Sequence, residues 1–469
     1  MKSPRKAVWL AVAGVAAATV ALSGCSGSSG GTGANGKTEI VVASLQPGAS
    51  AASLAAFNTQ VKTFEKQNPN ITVKGEEYNW TGTTFAAELA GGTLPDEFGV
   101  PFTDSKTLAN NGQLADLTQY ITKFSYGSKF NKNVIDVAKD SKGHLYGIPF
   151  SPYAMAISYN RADFTKAGLD PNKPPTTWDE VETDAIAISK ALPGVAGYMQ
   201  MTSANTGGWE LTSATYSRGG RMESTASNGK VTVNSDNDQT KAALAYLAKL
   251  RWTDNAAGSN FLLDWNGINA AFGSGKVAMY MSGSDVITSL VQNDKVDPTN
   301  YGVTVIPVDT TAANAGVLSG GTVAVANVKD TPAQQAAVAK WIDFYYGQPQ
   351  VNQAAAVTQA KALQASNQIV GAPSLPIFDK ATYDLSQSWI KPYATSGLLA
   401  NVAPFTSNIF SENIVPEPNK HTQDLYAALD PVVQAVLTQK NPNVDALLKA
   451  VDVKIQALID ADPDQAAIK

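Results

Sequence analysis

The side chains that could carry catalysis are few. The 469 residues hold two histidines and one cysteine. His144 lies in "DSKGHLYG" and His421 follows "PEPNK". Both contexts read as solvated loops, so a Ser-His-Asp triad would have to rest on a loop histidine. A metal centre needs several ligands at set spacing, and no such spacing occurs. Two adjacent carboxylate pairs, Asp96–Glu97 and Asp179–Glu180, are the candidates for glycoside hydrolysis. Asp179 and Glu180, however, fall in the first turn of an expected helix, where they favour the positive end of its dipole. Asp96 follows Pro95 in a turn. "GSGKVA" loosely matches a dinucleotide fingerprint, but that fingerprint follows a strand and opens a helix. Here a helix precedes and a strand follows, and the lysine lacks the Ser or Thr of a phosphate loop. These residues point to binding without catalysis, with no enzyme activity, cofactor or metal expected.

The cysteine has a different context. Lys2, Arg5 and Lys6 precede a small, apolar run from 7 to 21, and "LSGC" ends at Cys25. The run is short for a bilayer span and suits a signal-peptide core. The stretch resembles the lipobox of a bacterial lipoprotein signal, which implies cleavage before Cys25 and a diacylglycerol on its thiol. As a lone cysteine it has no disulfide or metal partner. "SGSSGGTGANG" then reads as a flexible tether of about 18 Å root-mean-square length. The G-x-S-x-G match within it (Gly27, Ser29, Gly31) lacks the strand and helix that a nucleophile elbow requires. Residues 1–24 are thus read as signal peptide, and 25–37 as lipidated cysteine and tether.

The remaining ~430 residues exceed one typical core and predict two lobes. Hydrophobic content of 44% and charged content of 16% read as globular. A net charge of −5, with no long basic run after the signal, argues against nucleic acid as a partner. No later stretch is apolar enough for a transmembrane helix. "TEIVVAS" predicts a buried strand. Leu54, Phe57, Val61 and Phe64 then recur at helical spacing before Pro69, and "ITVKG" is a second strand, which completes a β-α-β unit. Later signals include a capping box at Thr177 and Glu180, strands in "GKVAMYMSG", "YGVTVIPV" and "GGTVAVAN", a helix from about Pro332 to Gly347, and a helical tail. The alternation predicts an α/β fold throughout.

Several phrases occur in a familiar order: "FEKQNPNITV", "LAGGTLPDEF", "NNGQLADLTQYI", "YGIPFSPYAMAISYNRADFTKAGL", "PPTTWDEV", "AFGSGKVAMYMSG", "YGVTVIPV" and "GVLSGGTVAVAN". Together they resemble the extracellular solute-binding proteins of ABC importers, best the sugar-binding branch that includes maltose-binding protein. The resemblance implies a two-lobed, type II periplasmic-binding-protein-like α/β fold, with a ligand cleft between lobes joined by more than one crossing. The crossings would fall near 148–153 and 305–307. Lobe one would be 38–150 with 308–360, and lobe two 151–307 with 361–469. The implied role is a lipid-anchored, monomeric protein on the extracellular face of the membrane that delivers a saccharide to permease subunits. Another small solute (polyol, glycoside, amino sugar, peptide or polyamine) is the alternative, and a secreted glycoside hydrolase a more distant one. A polyamine site would need acidic side chains converging with aromatics, and the candidate loops are not notably acidic.

A sugar site needs aromatic platforms and polar partners at strand C-terminal ends. The loops there offer Gln46, Glu77 and Trp80, then Phe102, Thr103 and Asp104. The last group aligns with a family loop that supplies an aromatic and an aspartate. Tyr153 lies at the expected hinge. Trp209, Trp265, Asn266 and Asp285 lie in loops of lobe two, and the Gly320–Gly321 turn can bring backbone close to a ligand. Trp178, Trp252 and Trp341 read as packing residues instead.

Overall fold

A computed structural model describes residues 36–45, 51–78, 80–462 and 465. Cys25 and Gln46 lie outside the described residues. Strands β1 (Thr38–Leu45) and β2 (Ile71–Glu77) pair in parallel and flank the helix Ala51–Gln67, which buries Phe57 and Phe64. Strand β3 (Glu97–Pro101) follows the helix Gly82–Gly91, which ends on Gly92 at φ 68° as "LAGG" predicts. Strand β4 is long, Gly147–Asn160. It is followed by β5 (Ala196–Met199), the hairpin β6 (Glu223–Thr225) and β7 (Val231–Val233), β8 (Val277–Gly283), β9 (Tyr301–Val305), β10 (Val317–Ala326) and β11 (Ile414–Pro416).

β4 serves two sets of neighbours. From Gly147 to Ala154 it pairs antiparallel with β10, which continues through β3 to β1 and β2. From Met155 to Asn160 it pairs with β8 on one side and β9 on the other, and β5 adds to β8. The change of partners follows Ser151, a non-glycine residue at φ 47°, and Pro152. A left-handed residue kinks a strand, and it is sparsely populated for side chains other than Gly, Asn and Asp. The chain returns from β9 to β10 through 306–316. It comes back once more when β11 pairs with β10.

Local signals explain most elements. Thr177 and Glu180 form the capping box that opens the helix Trp178–Ala191. "GSGK" is a helix end and turn, with Gly275 at φ 72° before β8. Trp341 is fully buried, and its indole donates to Ser44 at 3.0 Å. The expected 332–347 helix is α-helical only to Ile342. Asp343–Gly347 forms a wider π turn, and Gly347 packs on the Tyr126 hydroxyl where a side chain would not fit. The Asp96–Glu97 pair is structural, as its turn context suggests. Asp96 accepts from the Val41 N–H, while buried Glu97 accepts from Ser44 at 3.0 Å and Tyr346 at 3.2 Å.

The C-terminal part does not stay on one side. Phe378 stacks on Phe130 at 5.1 Å, and Asn131 N–H donates to the Ile377 carbonyl, so 375–379 runs along the segment near Tyr126. The helix Leu398–Asn408 instead packs on β9, and the helix Thr422–Thr438 packs on the helix Thr206–Tyr216. The latter contact is close at Gly208, whose α-carbon faces the Tyr426 backbone. A Cβ there would collide with main chain rather than a movable side chain. Gly208→Ala should therefore lower stability by about 1–3 kcal/mol, read as a lower urea midpoint with unchanged m-value.

Candidate functional site

The bend of β4 gathers the polar and aromatic residues. Tyr153 lies opposite Gly320 in the β4–β10 ladder, and the register shifts between Gly320 and Thr322. Gly320 packs against the Tyr153 hydroxyl, and a Cβ there would also lie 2.8 Å from Glu417 Oε2. Gly321, at φ 148°, leaves room for the Phe102 ring, which a Cβ would approach to 3.0 Å. These two glycines let the β10 backbone lie flat against the aromatic residues. On the lobe-two side, Trp209 meets Tyr153 edge-on at 5.7 Å. A Cβ on Gly283, at the end of β8, would sit 2.9 Å from Asp285 Oδ1 and 3.4 Å from the Tyr153 ring.

Two carboxylates, Glu417 and Asp285, lie against this tyrosine, and a third, Asp104, bears on Glu417 through its charge. Glu417 accepts from Tyr426 at 3.0 Å and from Tyr153. Burial raises its carboxyl to about 7; the two tyrosine hydrogen bonds oppose that rise and the charge of Asp104 adds to it. Asp104 accepts from Thr103 at 2.6 Å, and burial raises it despite that bond and the nearby Lys420 charge. Asp285 is solvent-accessible, yet the surrounding walls desolvate and raise it. Tyr153 itself is raised well above its ordinary range, by burial and then by the Glu417 and Asp285 charges.

Of the sequence candidates, Phe102, Thr103, Asp104, Tyr153, Trp209, Asp285, Gly320 and Gly321 form this cluster. The others among the described residues lie on or beside neighbouring elements. Trp80 packs beside Phe85 at 6.0 Å, Glu77 is exposed at the end of β2, and Trp265 and exposed Asn266 open the helix Trp265–Gly273. Trp209 and Trp265 sit in helix first turns rather than in loops, because each helix starts soon after a buried strand or capping aspartate. Trp178 and Trp252 are anchored structurally, by indole bonds to Ser217 at 3.3 Å and the Val436 carbonyl at 2.9 Å.

Sequence reasoning missed Glu417 and Tyr426. "PEPNK" reads as a loop, and only the parallel pairing of Ser319 with Pro416 places Glu417 beside Gly320. It also misjudged His421 as a solvated loop residue. His421 begins the helix Thr422–Thr438 with Nδ1 2.9 Å from Asp424 and Nε2 3.2 Å from Asp462. Burial acts to lower it, but the bonds to the two carboxylates hold it raised above the usual histidine value.

Two sheets that share a bent strand, with a cleft at the bend, define a two-lobed binding protein of the type II periplasmic class. The chain belongs to the bacterial extracellular solute-binding protein family, whose model matches residues 59–374. It is 29% identical over 234 residues to the sn-glycerol-3-phosphate-binding periplasmic protein UgpB of Shigella dysenteriae, a match covering 46% of this chain and 49% of that one. The chain thus spans about half the length of the curated relatives it matches. Its fold is similar to the cyclic alpha-maltosyl-1,6-maltose binding protein from Arthrobacter globiformis, with a TM-score of 0.67 at 19% identity, over 90% of this chain and 99% of that chain. It is also similar to UgpB from Mycobacterium tuberculosis in complex with glycerophosphocholine, with a TM-score of 0.65 at 15% identity, over 91% and 99%. Among the described residues, no helix is long and apolar enough to cross a membrane.

The raised Glu417 carboxyl has a measurable consequence. Its folded value of about 7 lies above the unfolded 4.5. The stability it contributes is complete below the unfolded value and is lost as pH rises through 7. Glu417→Gln should therefore raise the melting stability of the ligand-free protein at pH 8, on the order of 1–2 kcal/mol after allowance for partial exposure. It should leave stability at pH 4 nearly unchanged. Equal effects at both pH values would show that Glu417 is not held as a strained acid.

Proposed function

We propose that this chain is the substrate-binding component of an ABC importer, capturing a sugar or oligosaccharide in the cleft and passing it unchanged to permease subunits. The observation that carries the reading is the gathering of Tyr153, Trp209, Asp285 and Glu417 where β4 changes partners. Aromatic faces meet the C–H surface of a sugar ring, and carboxylates accept from its hydroxyls. The relatives support a hydroxyl-rich ligand, since their names speak of maltose-type oligosaccharides and glycerol phosphates. Closure is a hinge at β4 and the 306–316 return, driven by a ligand that contacts both lobes and so favours the closed state. In this proposal the 361–379 stretch goes with lobe one, because it packs along Tyr126–Asn131, while the lobe divisions near 150 and 307 stay as read from the sequence. Cys25 holds the protein, as a monomer, at the outer face of the membrane.

A hydrolase would need two carboxyls flanking a glycosidic bond. Product analysis by mass spectrometry after long incubation separates the two functions, and an intact saccharide is expected. In a thermal-shift screen, a ligand at 100 times its Kd should add ~2.7 kcal/mol. Trp209→Ala should weaken that ligand by about 1–3 kcal/mol, by analogy with stacking elsewhere, and leave the ligand-free melting temperature almost unchanged. Trp341→Ala, a core substitution, should cost ~3–5 kcal/mol of stability instead. For the anchor, Cys25→Ser should release the protein from membranes or leave it unprocessed; a variant that still takes up lipid label at the same level would contradict the lipobox reading.

A further inference from the structure

The charge of the cleft is one-sided. Glu417 Oε2 and the Tyr153 hydroxyl both crowd Gly320, Asp285 Oδ1 and the Tyr153 ring both crowd Gly283, and Asp104 bears on Glu417 through its charge. The cations nearby are engaged elsewhere. The Lys420 charge lowers Asp104, and its ammonium sits 2.9 Å from Asp462. Arg221, across the Tyr216 ring, donates to the Gly220 and Asn314 carbonyls at 2.6 and 2.7 Å.

Two of the helix ends beside the cluster already carry a carboxylate. A helix N-terminus is a ready anion site, and the two so supplied are those of the helices that carry Trp209 and Asp104. At the helix Thr206–Tyr216, which carries Trp209, Asp430 already accepts from the N–H groups of Asn205 at 2.8 Å and Gly208 at 2.9 Å. At the helix Phe102–Asn110, Asp104 itself occupies the first turn. Asp430 thus occupies one positive end by hydrogen bonds, and Asp104 sets a negative charge at the other. What the cleft offers a solute is acceptors and aromatic faces, and those are the elements that recognise a cation.

We propose that the solute of this cleft carries an ammonium group, held among Asp104, Asp285 and Glu417 beside the Tyr153 and Trp209 rings, and that phosphorylated solutes are rejected. The proposal rests on the solute-binding reading of the cleft. The ammonium would supply the countercharge that Asp285 and Glu417 lack, Asp104 alone having the Lys420 charge. The carboxylates left uncovered would still accept from sugar hydroxyls, so an amino-substituted saccharide fits both the ring-sized aromatic surface and the charge. The sequence offered no sign of this, because the acids come from three distant segments and converge only in the fold.

The test uses the mature chain at pH 8 and low salt, with isothermal titration calorimetry. The probes are mono-, di- and trisaccharides, each in a neutral, an amino-substituted and a phosphorylated form. The expected result is an amino form that binds at least tenfold tighter than its neutral parent, with no binding of the phosphorylated form. In Glu417→Gln, folded by its melting curve, that preference should fall to less than threefold, while an exposed control such as Asp384→Asn keeps it. A neutral form that binds as tightly as its amino counterpart, or any phosphorylated form that binds tighter, overturns the proposal and leaves the solute-binding reading intact. If no probe of any class binds, both fall.

Discussion

Everything at the cleft depends on one strand that belongs to two sheets. A strand pairs through its main chain, so its neighbours on either side are fixed by backbone geometry rather than by side chains. β4 satisfies β10 along its first half and β8 and β9 along its second. A continuous flat ladder could not do this, because the two sets of partners lie on different lobes. The left-handed Ser151 supplies the bend, and the glycines opposite it absorb the misfit. Tyr153, two residues beyond the bend, is then held where the lobes meet. The same feature that joins the lobes positions the residue to which the other site residues refer.

Placing acids around that tyrosine is costly to the fold. Each carboxylate loses hydration, and Glu417 also feels the Asp104 charge. Tyrosine donors on Glu417 offset part of this, and Thr103 offsets part for Asp104. Groups kept at such cost mark functional sites more often than structural ones. Glu97 is a useful contrast. It too is raised to about 7, but it lies fully buried within a closed set of partners, Ser44, Tyr346 and the Ala43 backbone. Its bonds are complete, whereas the cleft acids keep a side open to solvent.

The fold was largely legible because its signals are local. Helix caps at Thr177 and Gly92, the Phe57–Phe64 spacing and the apolar strands each declare themselves within a few residues. The grouping at the bend of β4 was legible where a strand end carries its own residues, as with Phe102–Asp104, Asp285 and Tyr153. It was not legible where position depends on pairing across hundreds of residues. Glu417 has no local mark beyond its two flanking prolines, and Tyr426 reads as one more apolar position on a helix. Trp80 packs beside Phe85, and Trp265 opens a helix.

The C-terminal return explains why Glu417 can be held so closely. β11 is only three residues long and cannot fix a side chain alone. Its follow-on segment is clamped from the other side. Glu223 accepts from the N–H groups of Asn419 and Lys420, Lys420 pairs with Asp462, and His421 spans Asp424 and Asp462. A neutral imidazole has one N–H, so two carboxylate partners favour the charged ring, in accord with its raised value. Asp462 lies at the end of the last long helix, Val444–Ala461. The clamp therefore ties the final helix to the short strand and, through it, to the acid beside Tyr153. The cleft is completed only when the last helix docks, although its first strands form from the opposite end of the chain.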